Sequence, residues 1–243
     1  MAGIEIPGQR VFRVAAPDPP ADGPDWLPAV LDRFRTNLAD PGYPCNFGRY
    51  ALQHDELYGS WVDRDGDLDP LRGDLAAFLD GTRPYPRRRM VLAAFLAPEP
   101  ATDHAGHGRR FWSTLQFLHD HDDRPWPADI PAAPSDAHWE FSYHGTPMFV
   151  FAAAPTHRAR RSRNLGPGLV LLFQPRNVFA GIEGGTRAGT KARRNIRRDL
   201  AAWDTVDPHP SMGDYGDPSN YEWTQYYIAD DASALHRSCP LRI

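Results

Sequence analysis

Four arginines, Arg158, Arg160, Arg161 and Arg163, stand within six residues just after an imidazole, His157. Guanidinium forks pair with carboxylates and phosphates in bidentate fashion, so this grouping suits a dianionic ligand. A solvated basic loop with a surface histidine fits the same pattern. Spacing alone favours that second reading, although position singles out His157. His157 follows the apolar run MFVFAAA (148–154), and strand ends feeding loops present functional side chains.

The other reactive residues form weaker sets. His104 and His107 could share a face and clip a metal, but the glycine-flanked ATDHAGHG around them reads as an exposed loop. His119 and His121 lie two apart, which places them on different sides of a helix. No HExxH, GxSxG, P-loop or GxGxxG occurs. GIEGG (181–185) reads as a glycine-rich turn, with phosphate binding as the other role. Cys45, after Pro44, reads as a buried plain thiol, with a thiolate nucleophile or a metal ligand as the alternatives. The basic run from Arg187 to Arg198 has the charge of a nucleic-acid strip. Ile196, Leu200 and Trp203 at helical spacing favour a solvated amphipathic face instead.

These residues need elements to position them. Helices are predicted near 26–39, with Asp25 as N-cap, and near 70–80, with Asp69-Pro70 opening it and Gly81 stopping it. Further helices are expected near 109–120 and 187–204. The apolar runs 90–97, 147–153 and 168–174 read as central strands. The stretch 43–62 mixes aromatic and β-branched residues around Gly48 and Gly59 and predicts a strand pair or hairpin. Residues 124–134 are too proline-rich for regular structure. Residues 1–24 read as an N-terminal arm and 25–243 as one mixed α/β domain, α+β being the variant, with a central sheet flanked by helices and many loops.

Composition sets the outer bounds. The chain has 243 residues, 25 of them proline and 20 glycine, and a net charge of −4, the wrong sign for a dedicated nucleic-acid binder. No apolar run approaches the ~20 residues of a membrane span, and no signal peptide is apparent, so a cytoplasmic location is expected. Two distant cysteines exclude a disulfide scaffold, a zinc ribbon and a Cys-ligated iron–sulfur cluster.

The ordered motifs LQFLHDHD, PWPADIP, WEF, PMFV, PTHRARRSR, FQPRNVF and EWTQY, together with YPCNFG (43–48), make the chain resemble the YqcI/YcgG family from about residue 26 to 230. It departs at Ser142, where the family pattern leads one to expect cysteine. The resemblance implies a haem-dependent N-oxygenase, hydroxylating a guanidine nitrogen of arginine or an arginine-derived small molecule with dioxygen and an external reductant. A natural-product pathway is the implied setting. It further implies haem b on His157, with His119 and Cys45 as the other ligand choices, and Arg160, Arg161 and Arg163 on the propionates. Phe149, Phe151, Trp112 and Phe173 would wall the macrocycle. Glu140 is the first carboxylate for the guanidinium, followed by Asp120, Asp123 and Glu222. The partners it admits are the guanidine substrate, a redox partner and a second copy of the chain, but neither nucleic acid nor membrane. The competing reading is a non-catalytic haem sensor or carrier.

Overall fold

The computed structural model describes residues 4–6, 10–64, 66–182 and 186–243. Six strands form one mixed sheet in the order β1 (Phe12–Arg13), β2 (Leu57–Val62), β3 (Val91–Leu96), β6 (Val170–Pro175), β5 (Thr146–Ala153) and β4 (Ser142–Tyr143). Only β2 and β3 run parallel; the other neighbours are antiparallel. Every residue of β2, β3 and β6 is buried. Their largely apolar sequence follows from that, because a strand covered on both faces has no polar side; Ser60 in β2 and Gln174 in β6 are buried exceptions.

Side-chain alternation divides the core in two. Leu92, Ala94 and Leu96 join one cluster, with Leu75 and Phe78 of α3 (Asp69–Thr82) and Phe111, Leu115 and Leu118 of α4 (His104–Asp120). Val91, Ala93 and Phe95 join the other, with Leu27, Leu31, Phe34 and Leu38 of α1 (Leu27–Ala39) and Ala51 of α2 (Asn46–Gln53). Each fully buried Leu or Phe contributes roughly 1.5–3 kcal/mol. Helix α5 (Arg187–Trp203) buries only Gly189 and Leu200. No helix among the described residues is long and apolar enough to cross a membrane.

The architecture is the mixed α/β sheet expected, with several local corrections. Residues 43–62 do not form a hairpin: α2 occupies 46–53, because the Cys45 thiol accepts the Gly48 N–H and opens a helix. A left-handed residue, Asp55 (φ 58°), then turns the chain into β2. ATDHAGHG is not a loop. Asp103 accepts from Gly106 N at 2.6 Å and starts α4 at His104, five residues before the predicted start. Asp25 caps nothing, since α1 opens after Trp26 with no side-chain cap. Helix α3 opens after Leu68, so Asp69 lies inside it, and it runs past Gly81 to Thr82. Part of the expected arm is a sheet component: Phe12 and Arg13 pair with Gly59 and Tyr58, and Val14 is buried. The phosphate reading of GIEGG rests on 183–185, outside the described residues.

Candidate functional site

A cavity of about 550 Å³ opens between the carboxyl end of β6 and the inner face of α5. Sequence local to each wall explains it. Pro175 ends β6, and Arg176–Phe179 form a 3-10 turn that presents Arg176 and Phe179. The opposite face of α5 offers Gly189 and Ala192, too small to fill the gap. Phe47 of α2 and Phe149 of β5 complete an aromatic wall, each meeting Phe179 edge-on at 6.3 and 6.0 Å. Met212, Asp214, Tyr215, Glu222 and Gln225 come from the turn-rich tail.

The inner end holds a buried ion-pair cluster. Arg176 Nε donates to Glu140 Oε2 at 2.5 Å, and its Nη2 donates to Glu222 Oε2 at 2.6 Å. The Tyr226 hydroxyl donates to Glu222 Oε1 at 3.0 Å while accepting from Phe141 N. The Arg176 guanidinium lies 4.1 Å from the Tyr215 ring centroid. The side chains of Glu140 and Glu222 are 2% and 3% exposed, so their charges are almost fully out of water. Burial, reinforced by the Glu140 charge and opposed by Arg176, pushes Glu222 up to about 7. Burial also raises Glu140, against the pull of Arg176. Burial works against the Arg176 charge, but the two carboxylates outweigh it and leave the guanidinium above its ordinary value. Arg176 is the one cation in ion-pair contact with either carboxylate among the described residues. Two carboxylates share one guanidinium.

The residues singled out from sequence disperse. His157 is fully buried, and neither it nor His119 or Cys45 lines the cavity. Its Nε2 faces the Ile228 carbonyl at 3.0 Å and its Nδ1 the Ala154 carbonyl at 3.3 Å. Burial, then the neighbouring His104, hold the ring neutral, down at about 3. Arg160 donates to the carbonyls of Ala229, Asp207 and Asp231, stitching the loop to the tail. Arg161 donates to the Trp203 carbonyl and sits over that indole. Arg163 is buried 4.5 Å over the Phe151 ring, donates to two carbonyls, and has no carboxylate in ion-pair contact among the described residues. Asp120 and Asp123 lie on the surface beside Gln116 and Arg72. His119 packs edge-on against Trp126 on the same helix end. Of the expected aromatic wall, Phe149 lines the cavity, whereas Trp112 and Phe173 belong to the core on the α3–α4 side of the sheet.

Two of the four candidate acids, Glu140 and Glu222, do converge. Glu222, rather than the first choice Glu140, faces the cavity. The sequence reading missed Arg176, Tyr215 and Tyr226. The signal for Arg176 was its place in FQPR, directly after the strand-ending proline. Cys45 stands two residues before the cavity-lining Phe47. Burial raises its thiol, but the N–H groups of Gly48 and Phe47 and the Arg163 charge all favour the thiolate.

Relatives place this geometry in context. The chain is 34% identical over 228 residues to the protein YcgG of Bacillus subtilis (strain 168), covering 89% of this chain and 88% of that one. It is 30% identical over 226 residues to the "Putative N(omega)-hydroxy-L-arginine synthase DcsA" of Streptomyces lavendulae, covering 88% and 83%. No solved structure matches it significantly. The YqcI/YcgG family pattern matches residues 34–242, and the chain belongs to that family.

Proposed function

We propose that this protein N-oxygenates the guanidinium of arginine or of an arginine-derived small molecule, using haem b, dioxygen and an external reductant. One observation carries the reading: the inner end of the cavity buries two carboxylates against a single guanidinium. An uncompensated buried carboxylate is costly, so the site either holds a proton at Glu222 or takes a second cation from the cavity. A substrate guanidinium is such a cation, and its planar fork matches a carboxylate with two parallel hydrogen bonds. The relative named for N(omega)-hydroxy-L-arginine supports the same choice.

Glu222 would hold the terminal nitrogens, with the Tyr226 hydroxyl keeping its carboxylate oriented. Glu140 would hold Arg176 in place rather than touch the substrate. Haem, when bound, supplies the dioxygen chemistry. Phe47, Phe149 and Phe179 are suited to face its macrocycle. Cys45 is our choice of iron donor: burial raises its thiol, but its sulfur accepts a backbone N–H at a helix start and a buried cation stands near it, and both favour the thiolate. His157 would first have to leave the Ile228 carbonyl. The resemblance points first to His157; the place of Cys45, two residues before the cavity-lining Phe47, favours the thiol over that imidazole.

The test is incubation of haem-loaded protein with arginine, dioxygen and a reductant, followed by mass analysis. Gain of one oxygen atom on a guanidine compound is the expected result. Haem binding without oxidation of any guanidine compound overturns the enzymatic reading and leaves a haem carrier.

A further inference from the structure

The cavity has a second charged end, at its mouth. Arg193 and Arg197 both line it, and their spacing of four residues places them as neighbours on one face of α5. Like charges so placed repel each other. Partial relief comes from the tail: Arg193 Nε lies 2.5 Å from Asp214 Oδ1, while Arg197 Nη2 donates only to the Met212 carbonyl at 2.6 Å. Among the described residues the mouth therefore holds two guanidiniums against one carboxylate, the mirror image of the inner end. Between the two ends the lining is apolar, through Phe149, Phe179 and Ile196.

A cavity with excess negative charge inside and excess positive charge at the mouth selects a ligand that is cationic at its leading end and carries a carboxylate behind. We propose that Arg193 and Arg197 form a carboxylate-binding lip. Its ligand is the α-carboxylate of a free amino acid whose side-chain guanidinium reaches Glu222, or a propionate of the cofactor. This rests on the reading of Glu222 as the guanidinium anchor, and it adds that recognition is two-ended. Asp214 stands beside Arg193, where it would accept the α-ammonium.

Calorimetric titration with L-arginine and with agmatine, which lacks only the carboxylate, tests the first source. Haem titration followed by its Soret absorbance tests the second. Both are run on wild type and on the Arg193→Gln/Arg197→Gln double variant. If the lip holds the substrate, wild type prefers arginine by about tenfold or more, since a hydrogen bond to a charged group is worth at least that. The double variant then loses the preference, while agmatine affinity and haem affinity stay as in wild type. If the lip holds a propionate, haem affinity falls about tenfold and the arginine preference is the same in both proteins. A double variant unchanged in both titrations overturns the inference. Wild-type protein that binds neither guanidine compound overturns the Glu222 reading instead, and the haem arm still decides the lip.

Discussion

Guanidinium binding should strengthen about tenfold as the pH rises from 6 to 8, and Glu222→Gln should abolish the change. The structure sets the magnitude. Burial among apolar walls pushes Glu222 up to about 7, with Glu140 adding repulsion and Arg176 and the Tyr226 hydroxyl opposing. About a tenth of the molecules carry an ionised Glu222 at pH 6 and about nine tenths at pH 8, a difference of about 1.4 kcal/mol in ligand binding. The ligand is cationic throughout this range, so the change belongs to the protein. Stability runs the other way. The folded chain holds this proton more tightly than the unfolded chain, whose carboxyl titrates near 4.5. The resulting stabilisation is complete below about 4.5 and is lost as the pH climbs to about 7, on the order of 3 kcal/mol in all. An arginine-induced rise in melting temperature should therefore be larger at pH 8 than at pH 6. Calorimetry at several pH values measures the first effect and thermal melts the second. A tenfold pH dependence that survives in Glu222→Gln would refute the argument.

Three further outcomes follow, the first from the proposed haem site and the others from the geometry. Cys45→Ser should lose or misligate haem while His157→Gln keeps a normal haem spectrum, and the wild-type ferrous carbon monoxide complex should have a strongly red-shifted Soret band; the reverse pattern restores the histidine. Gly168→Ala should destabilise by about 1–3 kcal/mol in urea unfolding, because an added Cβ would stand 2.4 Å from the Leu96 carbonyl oxygen, which belongs to backbone and cannot swing away. Asp103→Ala should cost about 1 kcal/mol and fray the first turn of α4, seen as faster hydrogen exchange at Gly106 and His107.

What was legible in the sequence was what periodicity encodes. Strands β3, β5 and β6 were found because covered strands read as apolar runs, and α3 because Leu71, Leu75 and Phe78 recur at helical spacing. Helix α2 was hidden because its eight residues carry Phe47, Gly48 and Tyr50, which read as strand and turn, and its start depends on a thiol acting as a cap. The loop arginines failed for a related reason. A guanidinium facing a ligand and one facing main-chain carbonyls have the same charge and the same donors, and Arg160 spends all its reach on carbonyls. On α5 the basic run was read as a solvated amphipathic face, and Arg187, Lys191, Arg194, Arg197 and Arg198 are exposed; what that reading did not see is the stripe of Gly189, Ala192 and Ile196. That stripe is too thin and too small to be pressed into a core, yet it is continuous along the helix. A helix with such a face leaves room beside it, and Arg193 and Arg197 at its edge line that space while Arg197 stays exposed to water. Glu140 and Glu222 were chosen singly by residue type. Their convergence on Arg176, across 36 and 46 residues of chain, is a property of the sheet that brings β4, the end of β6 and the tail together. No local spacing could announce it, and that convergence is what sets two buried carboxylates on one guanidinium.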